Sequence, residues 1–218
     1  QEWERLLYIT GGVLNLSKCS WFLLSWVWKN GKAKLARADK CPGTLKLTAG
    51  SDIHNPVKIQ RIEPTDSFRT LGVHISPSGS NTGAKDILLK ISLDYATQIV
   101  SSTFTREDAL WSYILYFLPK IRFQLPILSL SKMECLAIQA PALRAFLPKI
   151  HINRNTARSI IFGPEELGGL ALPNIYTEQG ITKLQLFLGH LRLQDKTGKL
   201  IQIDMTYIQL LTGLTSFF

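Results

Sequence analysis

The spacing of apolar positions changes character near residue 80 of this chain. Before it, short stretches dense in branched and aromatic residues alternate with Gly, Pro and Asn. Trp3, Leu6 and Leu7 share one face of a short helix that Gly11-Gly12 should end. From Val13 to Trp28 the residue types suit a pleated surface, and the stretch predicts one long strand. Asn30-Gly31 is a strong two-residue hairpin signal, returning the chain through Lys32 to Leu35. Leu45 to Leu47, Val57 to Ile62 and Phe68 to Ile75 read as further short strands, punctuated by Pro42-Gly43, Asn55-Pro56 and Glu63-Pro64.

Ser76-Pro77-Ser78-Gly79-Ser80 is rich in turn formers and marks a boundary. Beyond it the period becomes helical. Ala84, Ile87, Leu88, Ile91, Tyr95 and Ile99 line one face, with Lys85, Asp86, Lys90 and Asp94 on the other. Thr105 should cap a second helix that runs to Pro119, and Ser131 with Glu134 forms a capping box for a third. Pro141 should kink or end that third helix. A short helix from Thr156 to Phe162 stops at Gly163-Pro164. Asn174 caps a long one carrying Leu184, Phe187, Leu188 and Leu191, and a last helix follows the turn at Asp195 to Gly198. The expected class is α+β, a β-rich N-terminal part followed by a helical body, in three stretches: 1–76, 81–150 and 151–218.

Composition narrows the function classes. The 218 residues are 45% apolar, enough for a packed core and too many for a disordered chain. The densest apolar run, Trp21 to Trp28, is broken by Ser25 and falls far short of the roughly 20 residues of a membrane span. No membrane partner is expected. Glu2, Glu4 and Arg5 stand where the apolar core of a signal peptide would begin, and Gln1 and Phe218 read as cut ends of a longer polypeptide. Three scattered cysteines, Cys19, Cys41 and Cys135, do not make a disulfide scaffold and fit an intracellular, reducing compartment. The net charge of +9 is concentrated early, around Lys29, Lys32, Lys34, Arg37, Lys40 and Lys46. Such a cluster attracts a polyanion by counterion release, and equally serves as a solvated rim.

Catalytic motifs are thin. The chain has no Gly-x-Ser-x-Gly elbow, no phosphate loop and no closely spaced zinc ligands. The acidic pair Glu107-Asp108 falls in a helix first turn, where carboxylates favour the dipole, and Glu165-Glu166 falls in a loop. Neither is expected to hold a metal. Trp21, Trp26, Trp28 and Trp111 are expected mainly in the core, although they would also suit docking on a partner.

Several stretches become informative in order. WERLLYITGGVLNLSKCSW resembles the region after the catalytic Asp-Asp pair of retroelement reverse transcriptases, where a helix, a glycine turn and a lysine-bearing strand form motif D. SFRTLGVHI resembles that family's F-x-x-L-G primer-grip hairpin, and GGLALPNI with its long helix is similar to a segment after the thumb of LINE-like, non-LTR elements. The resemblance implies that residues 1–76 are a palm remnant, 81–150 a thumb-like helical bundle and 151–218 a post-thumb region. It implies that Lys18 is the general acid of motif D in the intact parent, with Asn15 as its polar neighbour. Phe68, Leu71 and Gly72 would be the primer grip. Lys32, Lys34, Arg37, Lys40, Arg122, Arg144 and Arg158, with Lys149 and Arg154, are candidate phosphate contacts. The motifs that carry the Mg²⁺-binding aspartates are absent from the chain, so this stretch alone is expected to bind no metal and to be inactive. Its expected partners are an RNA or DNA template–primer duplex and the fingers and palm of the parent. The alternative is a non-catalytic α+β interaction domain that docks on another protein.

Overall fold

The computed structural model describes residues 6–7, 9–12, 14–49 and 52–214. Trp3 and Val13, at the starts of two expected elements, lie outside them. The chain divides into two compact units, residues 1–83 and 84–218. The class is α+β, with short strands early and helices after them.

In the N-terminal unit, residues 6, 7 and 9 are helical and Gly11 takes φ +77°, the left-handed conformation that ends a helix. The long strand expected from Val13 to Trp28 is instead three pieces: a 3₁₀ turn (Leu16–Lys18), β1 (Ser20–Trp21) and β2 (Trp26–Lys29). Asn15 interrupts the run. Its carbonyl accepts the Lys18 N–H at 3.1 Å, and its side-chain oxygen accepts the Ser17 hydroxyl at 2.6 Å, so local bonding displaces a ladder.

β2 pairs antiparallel with β3 (Lys32–Leu35) across Asn30-Gly31, both at positive φ as a two-residue primed turn requires. β4 (Lys46–Ala49) pairs with β5 (Asp52–Lys58), and β6 (Gln60–Arg61) runs parallel to β1. Residues 68–75 are a hairpin rather than one strand: β7 (Phe68–Thr70) and β8 (Val73–Ile75) join through Leu71-Gly72. Among the described residues, then, this unit holds four separate two-stranded ladders. Among the described residues its buried aliphatic and aromatic side chains are Ala36, Ile59 and Val73, with Pro64 buried as well.

The C-terminal unit is helical: α1 (Thr82–Ser101, beginning at the boundary), α2 (Arg106–Trp111), α3 (Leu118–Arg122), α4 (Lys132–Lys149), α5 (Arg158–Phe162), α6 (Ile175–Leu193) and α7 (Lys196–Thr212). Thr105 caps α2, and Ser131 caps α4, each in a reciprocal capping box. Between α2 and α3, Ser112–Phe117 forms a wider π-helical turn. Pro119 has no N–H for the carbonyl of Leu115 and its ring crowds that carbonyl, which a wide preceding turn relieves.

Pro141 does not end α4. The N–H beside it, that of Ala142, donates to Ser92 Oγ of α1 at 3.2 Å, so a neighbouring helix supplies the acceptor where the ladder is broken. The core is contiguous from Ala84 to Ile175, with Tyr95, Tyr113, Phe117 and Phe146 as an aromatic centre. Tyr113 and Phe146 stack at 4.5 Å and Tyr95 and Phe117 at 4.8 Å. Ile161, Leu172 and Ile175 join that core. Gly168-Gly169 act in the turn after α5: Gly168 is left-handed, and a Cβ on Gly169 would run into the Gly163 backbone.

Candidate nucleic-acid interface

The β2–β3 ribbon has two chemically different faces. Cross-strand partners share a face. Trp26 with Leu35 and Trp28 with Ala33 form one side, while Val27 with Lys34 and Lys29 with Lys32 form the other. Alternation along a strand therefore separates the tryptophans from the lysines. Trp26 is 61% and Trp28 76% exposed, which corrects the expectation that they serve the core; Trp111 is exposed as well. Lys32, Lys34, Arg37 and Lys40 are all exposed, Lys40 in a turn whose N–H donates to the Arg37 carbonyl.

Lysines also face one another. Lys29 stands opposite Lys32, and Lys46 opposite Lys58. Like charges directly across a ladder repel, and among the described residues neither pair has an acidic partner. Among the described residues the close oppositely charged side chains lie in the other unit: Lys85–Glu134 at 3.3 Å, Arg122–Glu178 at 2.8 Å and His190–Asp195 at 2.7 Å. Glu63, an acid of the N-terminal unit, instead accepts the Ala38 N–H with both carboxylate oxygens, at 3.0 and 3.1 Å. Residues 18–46 carry seven Lys or Arg and one acid, Asp39. That stretch therefore carries a net positive field.

The β7–β8 hairpin presents Leu71 and Gly72 at its tip, with φ +50° and +88°. Leu71 is 93% exposed. A leucine in the left-handed region at an exposed tip gains nothing from packing and is strained; Asn-Gly would fold there more readily. Phe68, at the other end of β7, packs its ring 6.4 Å from that of Phe22. The hairpin is thereby anchored at its base and bare at its end.

Lys18 ends the 3₁₀ turn and is exposed, not on a strand as the resemblance implied. The candidates of the helical unit fare differently. Arg122 faces Glu178 as an ion pair rather than as an aligned hydrogen bond, and is not a free cation. Lys149 donates to the Ser102 carbonyl at 2.7 Å. Arg158 opens α5 half-buried, its Nη1 enclosed without a hydrogen-bond partner. Arg144 and Arg154 are exposed.

The buried polar groups of this unit are structural. Gln139 donates to Tyr113 Oη at 2.8 Å and to the Pro173 carbonyl at 2.7 Å, and accepts the Ile175 N–H at 3.2 Å. Gln179 exchanges two bonds with the Leu130 backbone. Burial pushes the Tyr95 hydroxyl up to about 12 and the Cys135 thiol up to about 11, so neither ionises near neutrality. Asp108 lies in its capping box and Glu165 and Glu166 are exposed. Among the described residues no three His, Cys, Asp or Glu side chains gather as metal ligands, and no helix is long and apolar enough to cross a membrane.

Sequence reasoning named the lysines and the Leu71-Gly72 pair but missed the exposed tryptophans. The signal was present: Trp26 and Trp28 alternate with Val27 and Lys29 up to Asn30-Gly31, which assigns them to opposite faces once the ribbon is two strands wide. No protein-family model, curated protein or solved structure matches the chain.

Proposed function

We propose that this chain is a template–primer-gripping portion of a LINE-like reverse transcriptase, an RNA-directed DNA polymerase, separated from the catalytic carboxylates. The observation that carries the reading is the hairpin tip. Leu71-Gly72 is bare, strained and placed at the turn of an F-x-x-L-G hairpin. Strain at an exposed tip is retained where contact with a ligand, not folding, sets the residue. The facing lysines of the two ladders support the same reading, because phosphates would relieve the repulsion between them. Lys18 keeps its proposed role as the parent's general acid on the resemblance alone; its fold contributes an exposed ammonium.

Anisotropy titrations of a labelled RNA–DNA duplex test the reading. With four lysines on phosphates, affinity should fall about 150-fold between 50 and 200 mM salt. Leu71→Asn should fold at least as well as the parent sequence and yet bind the duplex more weakly. Salt-independent affinity, or unchanged binding by Leu71→Asn, overturns it.

One observation favours the second reading, an interaction domain. α7 packs on α6 and leaves Leu200, Ile203, Tyr207, Leu210 and Leu211 exposed. That apolar face would suit a protein partner. Self-association that Leu210→Glu abolishes, without any duplex affinity, would place this reading first.

A further inference from the structure

α7 is apolar on two sides. On one, Gly198 is buried and Ile201, Met205 and Gln209 are half-buried, and a Cβ on Gly198 would run into the His190 carbonyl of α6. On the other, about half a turn round at about 100° per residue, lie Leu200, Ile203, Tyr207 and Leu210, each at least 60% exposed. A helix apolar on both sides belongs between two partners, and α6 supplies only one. The outer residues are spaced three, four and three apart, which is the seam of paired helices. A shallow groove runs along it, lined by Ile203, Tyr207 and Leu210 with Lys199, Gln202 and Thr206 beside them.

From this seam and the charges that flank it, we infer that two copies of this chain pair through α7, parallel and related by a two-fold axis. The inference rests on the reading of the α7 face as a docking surface and is independent of nucleic-acid binding.

The flanking charges select the occupant. Lys199 immediately precedes the seam residue Leu200, and Asp204 immediately follows Ile203. Both are exposed, and among the described residues neither joins an ion pair. In a parallel pair the residue just before a seam position faces the residue five further along the other helix. Lys199 therefore meets Asp204 of the second copy, and two-fold symmetry makes that contact twice. An antiparallel pair that keeps the four apolar residues in layers would instead set Lys199 against Thr206 and Asp204 against Leu211, matching neither charge. Lys196, one seam step earlier, is the first helical residue, where its stem can turn the ammonium to water.

Sedimentation velocity of the full chain over roughly 1 to 200 µM tests the pairing. So short a seam should give a dimer that dissociates within the micromolar range. Leu210→Glu should weaken it at least about a hundredfold, because two carboxylates would enter one apolar layer. Lys199→Glu and Asp204→Lys, each alone, should weaken it on the order of tenfold by placing like charges opposite each other twice. Mixed together, those two variants should pair with one another about as tightly as the parent sequence, since each brings the charge that the other lacks. All three positions are exposed, and far-ultraviolet circular dichroism checks that each variant is folded.

A chain that stays monomeric to the top of that range overturns the proposal. If Leu210→Glu then also removes binding of a hydrophobic dye, the face stands as a docking surface for a different protein; unchanged dye binding overturns the docking surface too. A dimer insensitive to Leu210→Glu overturns both. A seam-dependent assembly larger than a dimer, or a dimer that the mixed charge variants fail to restore, overturns the parallel two-fold pair and leaves the docking surface intact.

Discussion

The two units are drawn from similar residue types and put them to opposite use. In residues 84–218, 22 described apolar residues form one continuous buried cluster. In residues 1–83, Phe22, Leu23, Leu24, Trp26, Val27, Trp28, Leu45 and Val57 all remain substantially exposed, and three described aliphatic side chains, Ala36, Ile59 and Val73, are buried. Helices bury a stripe against one another and so complete their own core. Two-stranded ladders cannot, because each has two faces and two edges to cover. The helical unit carries the stability, and the β-rich unit offers surface. Phe146→Ala should therefore have the largest effect available, about 3–5 kcal/mol, since its fully buried ring stacks on Tyr113. Urea unfolding followed at 222 nm measures it. A loss under 1 kcal/mol would break the contrast at its strongest point.

The next effect concerns polar groups inside the helical unit. Gln139→Leu keeps roughly the volume but leaves the Pro173 carbonyl and the Ile175 N–H without their buried partner, and removes the donor to Tyr113 Oη. The expected cost is about 2–3 kcal/mol in the same unfolding experiment. A near-neutral result would mean that water reaches these groups and that this part of the core is open.

Legibility in the sequence follows the same division. Caps and hairpin turns depend on a few adjacent residues, and Thr105, Ser131, Asn174 and Asn30-Gly31 all act where their neighbours indicate, while the expected turn from Asp195 to Gly198 is already the cap and first turn of α7. Helix continuity depends on distant groups. Pro141 looks like a breaker until Ser92 of another helix accepts the Ala142 N–H. The long strand fails because composition reports β-compatibility without saying what it pairs with, and β1 finds β6 about forty residues on. Of the candidate site, residue type and spacing revealed the lysines and the Leu71-Gly72 tip. They could not show that Arg122 faces Glu178, because that acid arrives from α6.

Smaller effects sharpen the contrast at the helix ends. Ser131→Ala should cost about 1 kcal/mol by removing the side-chain half of a capping box. Acid should act at the same places. The Ser131 backbone N–H, with its hydroxyl and Lys85, holds the Glu134 carboxyl below its ordinary range. The Thr105 hydroxyl and N–H do so for Asp108, and the Gly198 N–H, then His190, for Asp195. A carboxyl whose pKa is lowered by folding stabilises fully above its unfolded value and loses that contribution as pH falls through the folded one. Helical ellipticity should thus become easier to melt on acidification below about pH 4. Ser131→Ala should show less of this acid sensitivity than the parent sequence. Melts that are identical at pH 3 and pH 6 would rule the caps out as the acid-sensitive groups.

The smallest expected effect is the most telling about the β-rich unit. Trp28 is among the largest side chains in the protein, and in a core its truncation to alanine would cost several kcal/mol. Here it is 76% exposed, so Trp28→Ala should change stability by about 0.5 kcal/mol or less. The comparison with Phe146 is then between two aromatic truncations in one chain, differing mainly in whether the ring has neighbours. Calorimetric melts of the two variants at matched pH and salt give both numbers together. A Trp28→Ala loss above about 1 kcal/mol would mean that the indole is covered in solution, and the N-terminal unit would then have a core of its own. A near-zero loss leaves the indole free to act on something other than its own fold.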